Sequence, residues 1–205
     1  MATTPDWTFA LATTNQHKAR EIAEILAPLG IGIEVPESLP DVVEDGDTYA
    51  ANARKKAASA AAFLGRPVLA DDSGLEVPAL GGAPGVRSAR YAGADATADD
   101  NNQLLVESLE RLGLKDPAAM FVCHATIVAP DGNVVVEAEG RVGGILRWPA
   151  QGREGFGYDP LFHHGPSDCR FSELSAEAKN ATSHRGRALR ALVRRLRKVE
   201  IPDPS

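Results

Sequence analysis

Residues 120–142 contain Met120-Phe121-Val122-Cys123-His124-Ala125-Thr126-Ile127-Val128 and, after Pro130-Asp131-Gly132-Asn133, a second run from Val134 to Val142. Two runs rich in β-branched residues around Asp-Gly are a strong hairpin signal. Hairpin strands are antiparallel, so a sheet that includes them is not purely parallel. Upstream the pattern changes. Trp7-Thr8-Phe9-Ala10-Leu11-Ala12 is a short apolar run of strand formers, followed by polar residues from Thr13 to Lys18. Ile22, Ile25, Leu26 and Leu29 then recur at helical spacing until Gly30, which predicts strand, loop and helix. A second helix is expected from Thr48 to Leu64, rich in alanine and ended by Gly65-Arg66-Pro67. Val68-Leu69-Ala70 predicts a short buried strand running into Asp71-Asp72-Ser73-Gly74, where Gly74 allows a sharp turn. Helices alternating with strands around a hairpin define an α/β fold with a mixed sheet.

The rest of the chain fits this frame. Gly81-Gly82-Ala83-Pro84-Gly85 has loop composition. Thr97 with Asp100 forms a capping box ahead of Leu105, Leu109 and Leu112. A Gly-rich stretch runs from Gly152 to Gly157, and a last helix is expected from about Ser175, burying Leu189, Leu192, Val193 and Leu196. No internal repeat and no separating linker is visible, so one domain is expected.

Composition narrows the function classes. The 205 residues carry a net charge of −6, with 22 Lys+Arg against 28 Asp+Glu. That balance argues against a protein that coats nucleic acid, whose affinity rests on neutralising phosphates. The average conceals an asymmetry: residues 183–198 hold seven Lys+Arg and no acid. No run approaches the roughly 20 apolar residues of a membrane helix. Met1 to Asp6 shows no basic region leading into an apolar run, and this points away from a secretory signal. Cys123 and Cys169 are too few for a disulfide framework or a thiolate zinc site, in keeping with a reducing cytoplasm.

Four segments could carry chemistry. In Thr13-Thr14-Asn15-Gln16-His17-Lys18, loop amides at a helix N-terminus and the Lys18 charge suit an anion. The alternative is a polar loop whose Thr or Asn caps the helix. In Asp71-Asp72-Ser73-Gly74, adjacent carboxylates beside an apolar strand call for a compensating cation. An oxygen-preferring divalent metal would serve, with Glu44, Asp45 or Asp47 adding a ligand. A solvated turn is the bland alternative. In Gly155-Phe156-Gly157-Tyr158-Asp159-Pro160, glycines around an aromatic admit a flat ligand or simply make a turn. Lys179 and Ser183-His184-Arg185 offer donors suited to the carbonyl oxygens of a base. Arg190, Arg194, Arg195 and Arg197 read as a solvated cationic face. His124, His163 and His164 read as structural.

In this order the four segments, with Leu80 to Gly85 and Ser88-Ala89-Arg90-Tyr91, resemble the inosine/xanthosine triphosphate pyrophosphatase family from about Phe9 to Leu196. The resemblance implies a single two-lobed α/β domain over 1–205, a long mixed sheet flanked by helices, and a cleft between the lobes. It also implies a magnesium requirement and a homodimer. It assigns Thr13, Thr14, Asn15, Gln16, His17 and Lys18 to the triphosphate. Asp72 is the implied general base and, with Glu44, a ligand of Mg2+. Ser73 is a substrate contact; Phe156, Gly157, Tyr158, Asp159, Lys179, His184 and Arg185 form the nucleotide and base pocket. Thr14 stands where the family usually has glycine, and Ala51 where some members have a glutamate near the metal.

The implied reaction splits a purine nucleoside triphosphate (ITP, dITP, XTP or dXTP) into monophosphate and pyrophosphate. Repulsion from Asp71 would raise the proton affinity of Asp72 and metal coordination would lower it, and the sequence does not decide between the two. Two other functions fit parts of the sequence: a pyrophosphatase for other modified nucleotides, and a nucleic-acid-binding module using the basic C-terminal helix.

Overall fold

The computed structural model describes residues 7–199, so the Met1 to Asp6 segment lies outside the described residues. Strands and helices alternate at first: β1 (Trp7–Leu11), α1 (Gln16–Leu26), β2 (Ile31–Glu34), α2 (Tyr49–Leu64), β3 (Val68–Glu76) and α3 (Ala98–Arg111). Then come β4 (Ala118–Val128), β5 (Val134–Leu146), β6 (Phe162–His164), β7 (Cys169–Arg170), α4 (Ala176–Thr182) and α5 (His184–Leu196). Seven strands form one sheet in the order β2-β1-β3-β4-β5-β6-β7. β1 lies parallel to β2 and β3, whereas β6 is antiparallel to β5 and β7. The sheet is therefore mixed, as the hairpin predicts.

Local signals set most boundaries. Thr48 caps α2 through its side chain, and Gly65 ends it at φ 66°, in the left-handed region that favours glycine. Thr97 and Asp100 form the expected capping box of α3. Two elements differ from expectation. β3 does not turn after Ala70 but continues through Asp71, Asp72, Ser73 and Gly74 to Glu76. Sheet pairing here overrides the turn preference of Asp, Ser and Gly. The C-terminal helix is two helices, parted at Ser183, whose backbone is extended (φ −64°, ψ 160°). Just before the break, the Thr182 hydroxyl donates to the Ala178 carbonyl, a local bond that competes with helical continuation.

The chain divides into two compact units. The first holds the chain up to Asp72, Cys123–Gly140, and the chain from Arg185 onward. Its main core joins Phe9, Leu11, Ile22, Leu26, Leu69 and Ile127 to Leu189, Leu192, Val193 and Leu196. A second cluster packs Ala57, Ala60 and Ala61 of α2 against Ala10, Val68 and Ala70, where small side chains let helix and strands approach closely. The other unit, Ser73–Val122 with Arg141–His184, buries Leu75, Leu105, Leu109, Phe121, Tyr158, Phe162 and Phe171. Arg194 and Arg195 on α5 and Arg197 just after it are exposed, as a solvated cationic face should be, whereas Arg190 is half-buried.

Candidate active site

Successive residues of a strand face opposite sides, so the continuation of β3 separates the partners of Asp71 from those of Asp72. Asp71 is 1% exposed. Its Oδ2 accepts from Arg185 Nε at 3.3 Å and Nη2 at 3.2 Å, and Lys18 Nζ lies 3.7 Å away. Arg185 is itself buried, and its Nη1 donates to Glu21 Oε2. Burial opposes ionisation of Asp71, but Lys18, Arg185 and Lys56 outweigh it and hold the carboxyl well below the usual range. The Cys123 thiol lies 3.7 Å from Asp71 Oδ2. Burial first, and the Asp71 charge next, push that thiol far up, so it is an inert core residue.

Asp72 has other neighbours. Its Oδ2 accepts from Asn52 Nδ2 at 3.1 Å, and Lys56 Nζ lies 3.8 Å from Oδ1. Lys56 also donates to Glu44 Oε2 at 3.0 Å. Burial raises the Asp72 pKa; Lys56, Lys18 and Asn52 pull it down, and Glu44 adds to the rise. The shift is upward, and its leading cause is burial rather than repulsion from Asp71. For Lys56, burial is outweighed by Asp72, Asp71 and Glu44, and its pKa is raised. Neither Gly74 nor a turn brings the two aspartates together; Asp71 and Asp72 bond to different groups within one unit, Arg185 and Asn52, although Lys18 and Lys56 act on both.

The oxygen chemistry suits a hard cation. Among the described residues no three His, Cys, Asp or Glu form a ready-made metal cage. Glu44 and Asp72 nevertheless flank the Lys56 ammonium, so positive charge is already favoured between them. Magnesium binds through one or two carboxylates and completes its shell with water and substrate oxygens. Two carboxylates and no sulfur fit that pattern. Asp45 is more exposed and pairs with Lys55 at 2.7 Å.

The Thr13–Lys18 loop is partly a capping structure. Asn15 caps α1, its Oδ1 accepting from the amides of His17 at 2.9 Å and Lys18 at 3.1 Å. Thr13 Oγ1 accepts from the Asn15 amide at 3.2 Å. Thr14, Gln16 and His17 are exposed, and Lys18 reaches Asp71.

In the second unit, Lys179 Nζ donates to Asp159 Oδ2 at 2.6 Å and sits 4.8 Å from the centre of the Phe156 ring. The Phe156 amide donates to the same carboxylate oxygen at 2.8 Å. A Cβ on Gly155 would fall 2.3 Å from that oxygen, so the tight turn requires glycine, which also adopts φ 76°. The Gly157 carbonyl accepts from Asn102 at 3.0 Å. His184 stacks on Phe121, with ring centres 4.6 Å apart and planes at 8°. Tyr158 differs from the expectation of a pocket side chain. It is buried in the core with its hydroxyl donating to the Ser88 carbonyl at 2.9 Å, so only its backbone remains to contact a ligand. Ser73 is half-buried on β3.

Glu21, Asn52 and Lys56 escaped the sequence reading. Signals existed: Glu21 lies three residues after Lys18, and Lys56 four after Asn52, so each pair shares a helix face. Nothing in the sequence, however, says that α2 presents that face to Asp72.

A model of the Ham1 family matches residues 9–195. The dITP/XTP pyrophosphatase of Syntrophobacter fumaroxidans is 46% identical over 192 residues, covering 92% of this chain and 82% of that protein. That of Desulforamulus reducens is 44% identical over 194 residues, covering 93% and 96%. Among solved structures, a HAM1 protein from Coxiella burnetii superposes with a TM-score of 0.84 at 38% identity, over 94% of this chain and all of that one (100%). The Staphylococcus aureus Ham1 protein gives 0.78 at 36% identity, over 93% and 98%.

Proposed function

The chain belongs to the Ham1 family, and on that premise we propose that it hydrolyses ITP, dITP, XTP and dXTP to the monophosphate and pyrophosphate. One observation carries this reading: within a single unit, Lys18, Lys56 and Arg185 surround the adjacent carboxylates Asp71 and Asp72, with Glu44 beside Lys56. Cations of that density suit a polyanionic substrate, and a buried carboxylate among them suits proton removal from water.

The barrier is largely electrostatic, since a triphosphate repels an incoming nucleophile and pyrophosphate leaves as a polyanion. Lys18 and the loop at the start of α1 bind the phosphates and neutralise charge on the leaving group. Asp72 orients the water and accepts its proton. Burial raises its proton affinity, the right direction for a general base. Magnesium, held by Glu44 and Asp72, would screen the phosphate oxygens when bound. Lys56, between those carboxylates, keeps them from repelling one another.

Selectivity follows from base edges. Hypoxanthine and xanthine present an oxygen acceptor at carbon six where adenine presents an amino donor. Donors from His184 and Arg185 match the oxygen and oppose the amine. Arg185 does so from a guanidinium held by Asp71 and Glu21. Lys179 and Asp159 hold Phe156 as a stacking surface. Chain 1–205 acts as one pyrophosphatase domain, a homodimer in the cytoplasm, with no nucleic acid or membrane partner. Among the described residues no helix is long and apolar enough to cross a membrane.

The test is a substrate panel. ITP and dITP with magnesium should release pyrophosphate and monophosphate, with ATP turned over far more slowly. Equal rates on ITP and ATP overturn the specificity.

A further inference from the structure

We infer that Asn52 is a positioning residue that ties the acidic loop carrying Glu44 to Asp72, so that the two carboxylates reach a divalent cation together. The inference rests on the metal role given to Glu44 and Asp72 above. Asn52 is fully buried (0% exposed) in the first turn of α2, although an amide is a poor choice for an alanine-lined helix face. Its side chain has three contacts. Oδ1 accepts from the Gly46 amide at 2.8 Å, Nδ2 donates to Asp72 Oδ2 at 3.1 Å, and Nδ2 also approaches the Gly46 carbonyl at 3.5 Å.

The partners fix the orientation of the amide. Turned over, its oxygen would face the Asp72 carboxylate and its NH2 would face a donor, leaving like against like in a buried site. One amide therefore joins two segments distant in sequence: the loop two residues beyond Glu44, and the strand at Asp72. Gly46 is fitted to this contact. A Cβ there would lie 2.7 Å from Asn52 Oδ1 and 2.9 Å from the Ala51 Cβ, and the latter is fixed on the helix. Glycine at 46 is thus explained by the closeness of the loop to Asn52. Groups that hold metal ligands from behind typically matter 10–100-fold in metal affinity.

The experiment uses the full chain and two variants that break the contact from opposite sides, Asn52→Ala and Gly46→Ala. Mn2+ serves as the probe, its binding read from the loss of the free-ion paramagnetic resonance signal without nucleotide. Exchange of the Gly46 amide proton is followed by NMR. Each variant should weaken Mn2+ binding by about 10-fold or more and speed exchange at Gly46. The magnesium concentration for half-maximal ITP turnover should rise similarly, while KM for ITP at saturating magnesium changes little. The double variant should bind Mn2+ no more weakly than the worse single one, since both remove one contact.

Unchanged Mn2+ binding in either folded variant, or additive losses in the double, overturns the inference. If Asn52→Ala does not fold, Gly46→Ala, which keeps the amide, decides alone. A wild-type chain that binds Mn2+ with the predicted sensitivity but fails to cleave ITP would overturn the proposed reaction and leave the positioning role standing.

Discussion

Asp71 and Asp72 are neighbours on one strand, both buried, yet their surroundings move their protons in opposite directions. Asp71 faces Arg185 and Lys18, bonded in a cluster that also holds Glu21, and is locked in its charged form. Asp72 faces one neutral amide and a lysine shared with Glu44, and burial prevails. Adjacent identical residues on one strand thus hold their protons with opposite affinities. What divides them is the number of cations within reach. A group held charged stabilises the fold; a group whose charge is opposed by burial costs stability and retains reactivity.

The comparison breaks most sharply at Asp72. Asp72→Asn should lower turnover of ITP by about 10²–10⁴-fold, the usual worth of a positioned general base, while retaining nucleotide binding. The same variant should unfold at higher temperature in the absence of metal, because a buried charge has been removed. Near wild-type turnover would refute the role of Asp72, and a lower melting temperature would refute the contrast. At Asp71 the sign reverses. Asp71→Asn leaves the buried Arg185 with Glu21 as its remaining carboxylate and should cost about 3–5 kcal/mol in urea denaturation, typical of breaking a buried pair.

Acid titration sharpens the same contrast. A carboxyl whose folded pKa is depressed stabilises the fold above its unfolded value, near 3.9, and loses that contribution as pH falls toward its folded value. Asp71 is of this kind. For Asp72, with a raised folded pKa, the penalty is present at high pH and is relieved as pH falls through the folded value. Urea denaturation from pH 7 to pH 3 should therefore show a shallower acid loss in Asp71→Asn than in the wild type. An unchanged slope would mean that Asp71 is not the charge concerned.

In the proposed function, Arg185 connects the cluster to base selection. Arg185→Lys keeps a charge beside Asp71 but loses the fork. It should erode the ITP-over-ATP preference by about 10-fold or more, of the order of one lost polar contact. Parallel losses on both nucleotides would make Arg185 a phosphate contact instead. The smallest effect belongs to an exposed ion pair of the same unit. Glu137 is bonded by Arg54 and by His124, at 3.2 Å, and its pKa is lowered to about 2, chiefly by the hydrogen bond from Arg54. With Arg54 half exposed, solvent screens the pair, and Glu137→Gln should cost less than about 1 kcal/mol. A cost as large as that of Asp71→Asn would show that burial is not what separates the two clusters.

Much of this molecule is legible in its sequence because local rules dictate it. The Asp131-Gly132 hairpin, the Thr48 and Thr97 caps, the Gly65 stop and the apolar spacing of Leu189, Leu192, Val193 and Leu196 each depend on residues a few positions apart. The motif residues from Thr13 to Lys18, Glu44, Asp71-Asp72 and Phe156 to Asp159 are picked out instead by the family resemblance they carry together. Where the sequence misleads, local preference competes with distant partners. Asp-Asp-Ser-Gly favours a turn, yet sheet pairing keeps it extended. Tyr158 sits within the motif, yet its hydroxyl is taken by Ser88.

What only the tertiary structure decided is which charge meets which. Asn52 and Lys56 on α2, Glu21 on α1 and Arg185 on α5 are far from Asp71-Asp72 in sequence. Proton affinity depends on burial and on charges within a few ångströms, and neither distance is written in the order of the residues. The sequence alone therefore determined that two carboxylates stand side by side, and folding determined that their protons are held with opposite affinities.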